Sequence, residues 1–115
     1  MSEADDVLDA TLTLHDGYMV RLRGEIDLVR SPLLLTKLMD LVRSRPHRLV
    51  VDLTQVPLMD SSGVATLIEI LQAQSNGGGK LVLCGLQEKV KSVFEITRLH
   101  QVFLIVDDHG AACEI

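Results

Sequence analysis

The chain has 115 residues, 47% of them apolar and 3% aromatic, and eleven basic against sixteen acidic side chains give a net charge of −5. That length predicts one domain, 1–115, with an aliphatic core, and an acidic chain nearly free of rings is a poor match to nucleic acid, which selects basic patches and stacking aromatics. The longest unbroken apolar run, Val102 to Val106, is five residues, far short of the roughly 20 that a spanning helix needs, so no direct membrane insertion is expected.

Residues 1–6 read Met-Ser-Glu-Ala-Asp-Asp. An export leader opens on a basic stretch and then an apolar one, so this start predicts a loose acidic segment on a cytoplasmic protein. From Val7 the apolar residues Leu8, Ala10, Leu12 and Leu14 recur with period two, a strand signal. His15-Asp16-Gly17 is a turn, with glycine available for a positive φ. Tyr18, Val20 and Leu22 then alternate with Met19, Arg21 and Arg23. Two alternating runs about a short Asp-Gly turn predict a β-hairpin.

Ser31-Pro32 predicts a helix start, with Ser31 as N-cap and Pro32 at the first helical position. Leu34, Leu35, Leu38, Leu41 and Val42 keep helical spacing through Arg43, and Pro46 stops the run. Leu49 to Leu53 reads as a buried strand. Val64, Leu67, Ile68 and Leu71 mark a second helix, ending before Asn76-Gly77-Gly78-Gly79. Leu81 to Cys84 is a further buried strand, with Cys84 a small core residue. Val90, Val93, Phe94 and Thr97 predict a third helix, Val102 to Val106 a last strand, and 107–115 a tail or short helix. The predicted order is β-β-α-β-α-β-α-β. This describes an α/β fold with a mixed sheet, right-handed crossovers and helices on at least one face.

Chemistry is expected where the strand Leu49 to Leu53 runs through a loop into Asp60-Ser61-Ser62-Gly63. One reading makes Asp60 or Ser61 a helix N-cap, worth about 1 kcal/mol. The other makes a serine here a phosphorylation site, because the free N–H groups and dipole of a helix N-terminus favour an anion. Phosphate would add roughly −1.5 to −2 charges to one surface spot without breaking the fold.

Enzymatic motifs fail on spacing. An aspartic protease needs Asp followed by one Ser or Thr and then Gly, whereas two serines stand between Asp60 and Gly63. A Gly-x-Ser-x-Gly elbow would put glycine where Met59 and Asp60 stand. His15, His47, His100 and His109 are scattered singly. Gly77-Gly78-Gly79-Lys80 leads into a strand, not the helix a P-loop requires. Arg43, Arg45, His47 and Arg48 read as a solvated helix end. Asp5-Asp6 and Asp107-Asp108 read as surface, and Cys84 and Cys113 make neither a disulfide framework nor a zinc pattern. No catalytic residue, metal or cofactor is expected.

Gly24-Glu25-Ile26-Asp27, the strand Leu49 to Leu53, Met59-Asp60-Ser61-Ser62-Gly63 and Gly78-Gly79-Lys80-Leu81-Val82-Leu83 occur in a familiar order and spacing. From Val7 to Val106 the chain resembles the STAS domain, in particular the stand-alone anti-sigma-factor antagonists of bacteria. The resemblance implies a non-enzymatic switch that binds an anti-sigma factor with serine kinase activity and so frees the sigma factor. The kinase would phosphorylate Ser61, the first serine after Asp60, with Ser62 the alternative acceptor, and a phosphoserine phosphatase would reverse it. Asp27 matches an acidic residue near the family's interaction surface, and Asp60 would orient Ser61. Ser62 would cap or pack, Gly63 completes the loop, and Met59, Val64 and Thr66 would form the partner-facing rim. A monomer or weak homodimer is expected. The alternative within the same resemblance is a regulatory subunit of a membrane transporter or lipid-export complex, without phosphorylation.

Overall fold

β1 (Leu8–Leu14) and β2 (Gly17–Arg23) pair antiparallel as the expected hairpin. The computed structural model describes residues 7–112, so the expectations for 1–6 and for Cys113 lie outside the described residues. Gly17 serves the hairpin by its size and not by a positive φ. A Cβ there would run into the Arg48 carbonyl of the neighbouring strand, and the positive-φ glycines are Gly24, Gly78 and Gly85.

The remaining elements are α1 (Ser31–Val42), β3 (Arg48–Gln55), α2 (Ser61–Asn76), β4 (Lys80–Cys84), α3 (Glu88–Ile96), a 3₁₀ turn (Leu99–Gln101), β5 (Leu104–Val106) and α4 (His109–Ala112). The sheet order is β1-β2-β3-β4-β5, with every pair after the hairpin parallel. A parallel strand needs a crossover, and α1, α2 and α3 supply them.

Period two divides the sheet between two cores. Val20, Val51 and Leu83 lie in register and share one cluster with Leu34 and Leu38 of α1, Leu67 and Ile70 of α2, and Phe94 of α3. Phe94 meets Phe103 edge to face, with ring centroids 5.4 Å apart. The alternate residues Met19, Val50, Val82 and Cys84 form the second cluster, which Ala112 of α4 joins. Both faces are therefore covered, which is why the centres of β3 and β4, residues 49–51 and 81–84, are continuously apolar.

Three boundaries differ from the sequence reading. Arg30, not Ser31, is the N-cap of α1. Ser31 is already helical: its backbone N–H donates to the Asp27 carbonyl at 2.9 Å, and its hydroxyl donates to the same carbonyl at 2.7 Å. Thr97 is the exposed C-cap of α3, its hydroxyl donating to the Val93 carbonyl at 2.7 Å. The last strand begins at Leu104 and not at Val102. Arg98 takes a left-handed φ of 62°, the 3₁₀ turn consumes Leu99–Gln101, and Val102 ends exposed as its cap.

The basic cluster after α1 is engaged locally. Arg43 pairs with Asp40 at 3.0 Å and Arg48 with Asp16 at 3.2 Å. At the same end of the sheet the buried Gln74 donates to the carbonyls of Pro46 at 2.9 Å and Lys80 at 3.0 Å. Gly79 leaves room for that amide, and Gly78 turns the chain with φ 84°.

Candidate functional site

β2 and β3 are parallel, so their C-terminal ends release two loops side by side, 24–30 and 56–60. Backbone hydrogen bonds stitch these loops together. Gly24 donates to Gln55 at 2.9 Å, Ile26 to Leu58 at 3.0 Å, and Asp60 to Ile26 at 3.1 Å. Ile26 and Met59 form an isolated parallel bridge, so strand pairing continues beyond the sheet proper. In open α/β sheets this carboxyl edge is the usual place for a binding site.

A groove of about 260 Å³ lies between the loops, lined by Glu25, Ile26, Asp27, Leu58, Met59 and Asp60. Its apolar base is Ile26 and Met59, both buried, and three carboxylates stand around it. The N-terminus of α2 rises directly from its Asp60 side.

Asp60 is the N-cap of α2. Its Oδ1 accepts the backbone N–H of Ser62 at 2.9 Å and of Gly63 at 3.3 Å. The expected open anion site at this helix start is thus largely filled by Asp60 itself. Ser61 is the first helical residue and is exposed, while Ser62 is half-buried. A phosphate on Ser61 would project into water and meet a neighbouring carboxylate, not a cradle of free N–H groups.

Asp27 has a related role in the other loop. Its Oδ1 accepts the N–H of Val29 at 3.1 Å and of Arg30 at 3.0 Å, and its carbonyl accepts the N–H of Ser31 at 2.9 Å. Both acidic residues hold their loops in shape while lining the groove.

The structure brings Asp27, Asp60, Ser61 and Ser62 together at one edge. Met59, Gly63, Val64 and Thr66 lie buried beneath that edge and shape it from below. Leu28 and Val29, 73% and 83% exposed, and Leu58, 42% exposed, supply the apolar surface that sequence reasoning did not assign. The available signal was Leu28-Val29 itself, two aliphatic residues between a strand and a helix cap, where no core periodicity accounts for them. A contiguous exposed apolar patch is a candidate interaction surface.

His15 and His47 stand away from this edge. They line a cleft of about 320 Å³ at the opposite end of the sheet, and Nδ1 of His100 lies 3.3 Å from the Phe94 carbonyl. No helix among the described residues is long and apolar enough to cross a membrane.

Residues 9–112 match the model of the STAS domain. An anti-sigma-B factor antagonist of Staphylococcus epidermidis is 32% identical over 89 residues, covering 77% of this chain and 82% of its own length. An anti-sigma factor antagonist from Mycobacterium paratuberculosis, 26% identical, superposes with a TM-score of 0.80 over 91% of both chains. A Thermotoga maritima protein of 21% identity shares the fold with a TM-score of 0.88, over 98% of this chain and 97% of that one.

Proposed function

The chain belongs to the STAS domain family, and from that premise we propose that it is an anti-sigma factor antagonist switched off by phosphorylation of Ser61. The observation that carries this reading is the exposed Ser61 at the start of α2, beside a groove lined by Glu25, Asp27 and Asp60. The partner is an anti-sigma factor with serine kinase activity, and a phosphoserine phosphatase resets the switch. The names of the similar staphylococcal and mycobacterial proteins support the partner class.

The mechanism is local and electrostatic. With Ser61 free, the groove and the aliphatics Leu28, Val29 and Leu58 offer an apolar surface edged with carboxylates. A phosphate adds roughly −1.5 to −2 charges to that edge. Asp60 already occupies the Ser62 and Gly63 N–H groups, so the helix start gives the dianion little compensation. A dianion enclosed in an interface is costly to desolvate. A penalty of about 3 to 4 kcal/mol is several hundredfold in affinity, enough to release the partner. The fold itself is spared because Ser61 is exposed and its side chain supports no core contact.

The test is peptide mapping of the protein purified from its own cells, with and without phosphatase treatment. Phosphate on Ser61 is the expected result. Phosphate on Ser62 alone would move the acceptor by one residue. Absence of phosphate under every growth condition would overturn the switch and favour a constitutive docking subunit.

A further inference from the structure

Arg30 closes the 24–30 loop from both ends. Its Nη2 donates to the Arg23 carbonyl at 2.8 Å and its Nη1 to the Glu25 carbonyl at 2.5 Å. Those two carbonyls flank Gly24, whose φ of 82° turns the chain out of β2. A Cβ on Gly24 would lie 2.6 Å from Nη1, so the guanidinium occupies the space that the glycine leaves. Meanwhile the Arg30 backbone N–H donates to Asp27 Oδ1 at 3.0 Å, and its carbonyl accepts the Leu34 N–H at 3.1 Å, the first turn of α1. One residue thus ties the end of β2, the Asp27 turn and the start of α1.

Between the Asp27 turn and Arg30 lie only Leu28 and Val29, the most exposed aliphatics on this edge. They have almost no buried surface to hold them in place. Nothing in their own packing accounts for a defined position, whereas the two arms of Arg30 and the Asp27 turn do. The Arg30 Nε is buried without a hydrogen-bond partner, and none of the ion pairs among the described residues includes Arg30. Its charge therefore serves the two backbone carbonyls and not a carboxylate.

We propose that Arg30 is a positioning residue: its guanidinium fixes the 24–30 loop so that Leu28 and Val29 form a preset apolar knob for the partner. This rests on the reading of that edge as the partner-facing surface. Fixing a loop before association removes an ordering cost from binding, so the effect should appear as affinity and not as a new contact. Arg30→Lys keeps the charge but replaces the planar fork, which meets the two carbonyls from two separate nitrogens, with a single ammonium on a flexible stem.

The first arm uses the free protein. Hydrogen exchange of Arg30→Lys should show the Val29, Arg30 and Ser31 amides opening about tenfold faster, the scale of losing a hydrogen bond to a charged group. Amides of β3 and α2 should keep wild-type protection. Unchanged loop exchange overturns the proposal, and so does equal acceleration in the core, which would make Arg30 a general stabiliser.

The second arm uses the anti-sigma kinase as probe. Arg30→Lys should weaken binding about tenfold in the wild-type background, and not at all once Leu28 and Val29 are both alanine. Equal losses in both backgrounds would mean that Arg30 acts otherwise than through the knob. If wild type does not bind the kinase, the functional reading fails, while the exchange arm still decides whether Arg30 sets the loop.

Discussion

Gly63 packs against Ile26 so closely that a methyl group added to it would lie 2.8 Å from Ile26 Cγ2, and 2.6 Å from Met59 Cγ. The start of α2 is therefore pressed onto the bridge that joins the two groove-forming loops.

Gly63→Ala should consequently destabilise the protein although alanine is the better helix former. Overpacking of this kind costs about 1 to 3 kcal/mol. Urea denaturation should show a lower midpoint with an unchanged slope. A midpoint equal to or above wild type would mean that Ile26 and Met59 yield freely.

Asp60 caps α2 through two backbone N–H groups. Asp60→Ala should lower stability by about 1 kcal/mol. Asp60→Asn, whose side-chain oxygen can still accept, should recover most of the loss in the same thermal melts. Equal losses in the two variants would point to the charge of Asp60 and not to its hydrogen bonds.

At the opposite end of the sheet, Gln74 joins the Pro46 and Lys80 carbonyls from a buried position. Gln74→Leu keeps the bulk but removes both hydrogen bonds. The expected loss is about 1 to 3 kcal/mol, read by chemical denaturation. Because the groove is remote, binding of the partner by the folded variant should match wild type. A change in affinity at full folding would show coupling between the two ends.

Ser61→Ala should remove phosphate incorporation by the kinase and leave binding intact. Ser61→Asp places one negative charge beside Asp60 and should weaken binding by at least about tenfold, or 1.4 kcal/mol, in titration calorimetry. Both variants should melt within about 0.5 kcal/mol of wild type, as exposed positions do. Wild-type affinity in Ser61→Asp would overturn the electrostatic account of the switch.

Element order was legible in the sequence because local periodicity reports it directly. Alternation marked the hairpin, and i, i+3, i+4 spacing marked α1 and α2. Boundaries were less legible where a cap or turn depends on geometry. Ser31 looked like an N-cap but donates to the Asp27 carbonyl. The run Val102 to Val106 looked like a continuous strand, yet the left-handed Arg98 and the turn after it take up its first part.

The sequence by itself determined an aliphatic α/β domain, its family resemblance, and a hydroxyl pair at a helix start. These follow from local pattern and from residues contiguous in the chain. Only the tertiary structure decided what surrounds that pair. Parallel pairing of β2 with β3 sets the loops 24–30 and 56–60 edge to edge, which turns Met59, Val64 and Thr66 inward and leaves Leu28, Val29 and Leu58 facing water. Burial at these positions depends on contacts between residues far apart in the chain, and a local pattern of hydrophobicity carries no information about which loop will lie beside which.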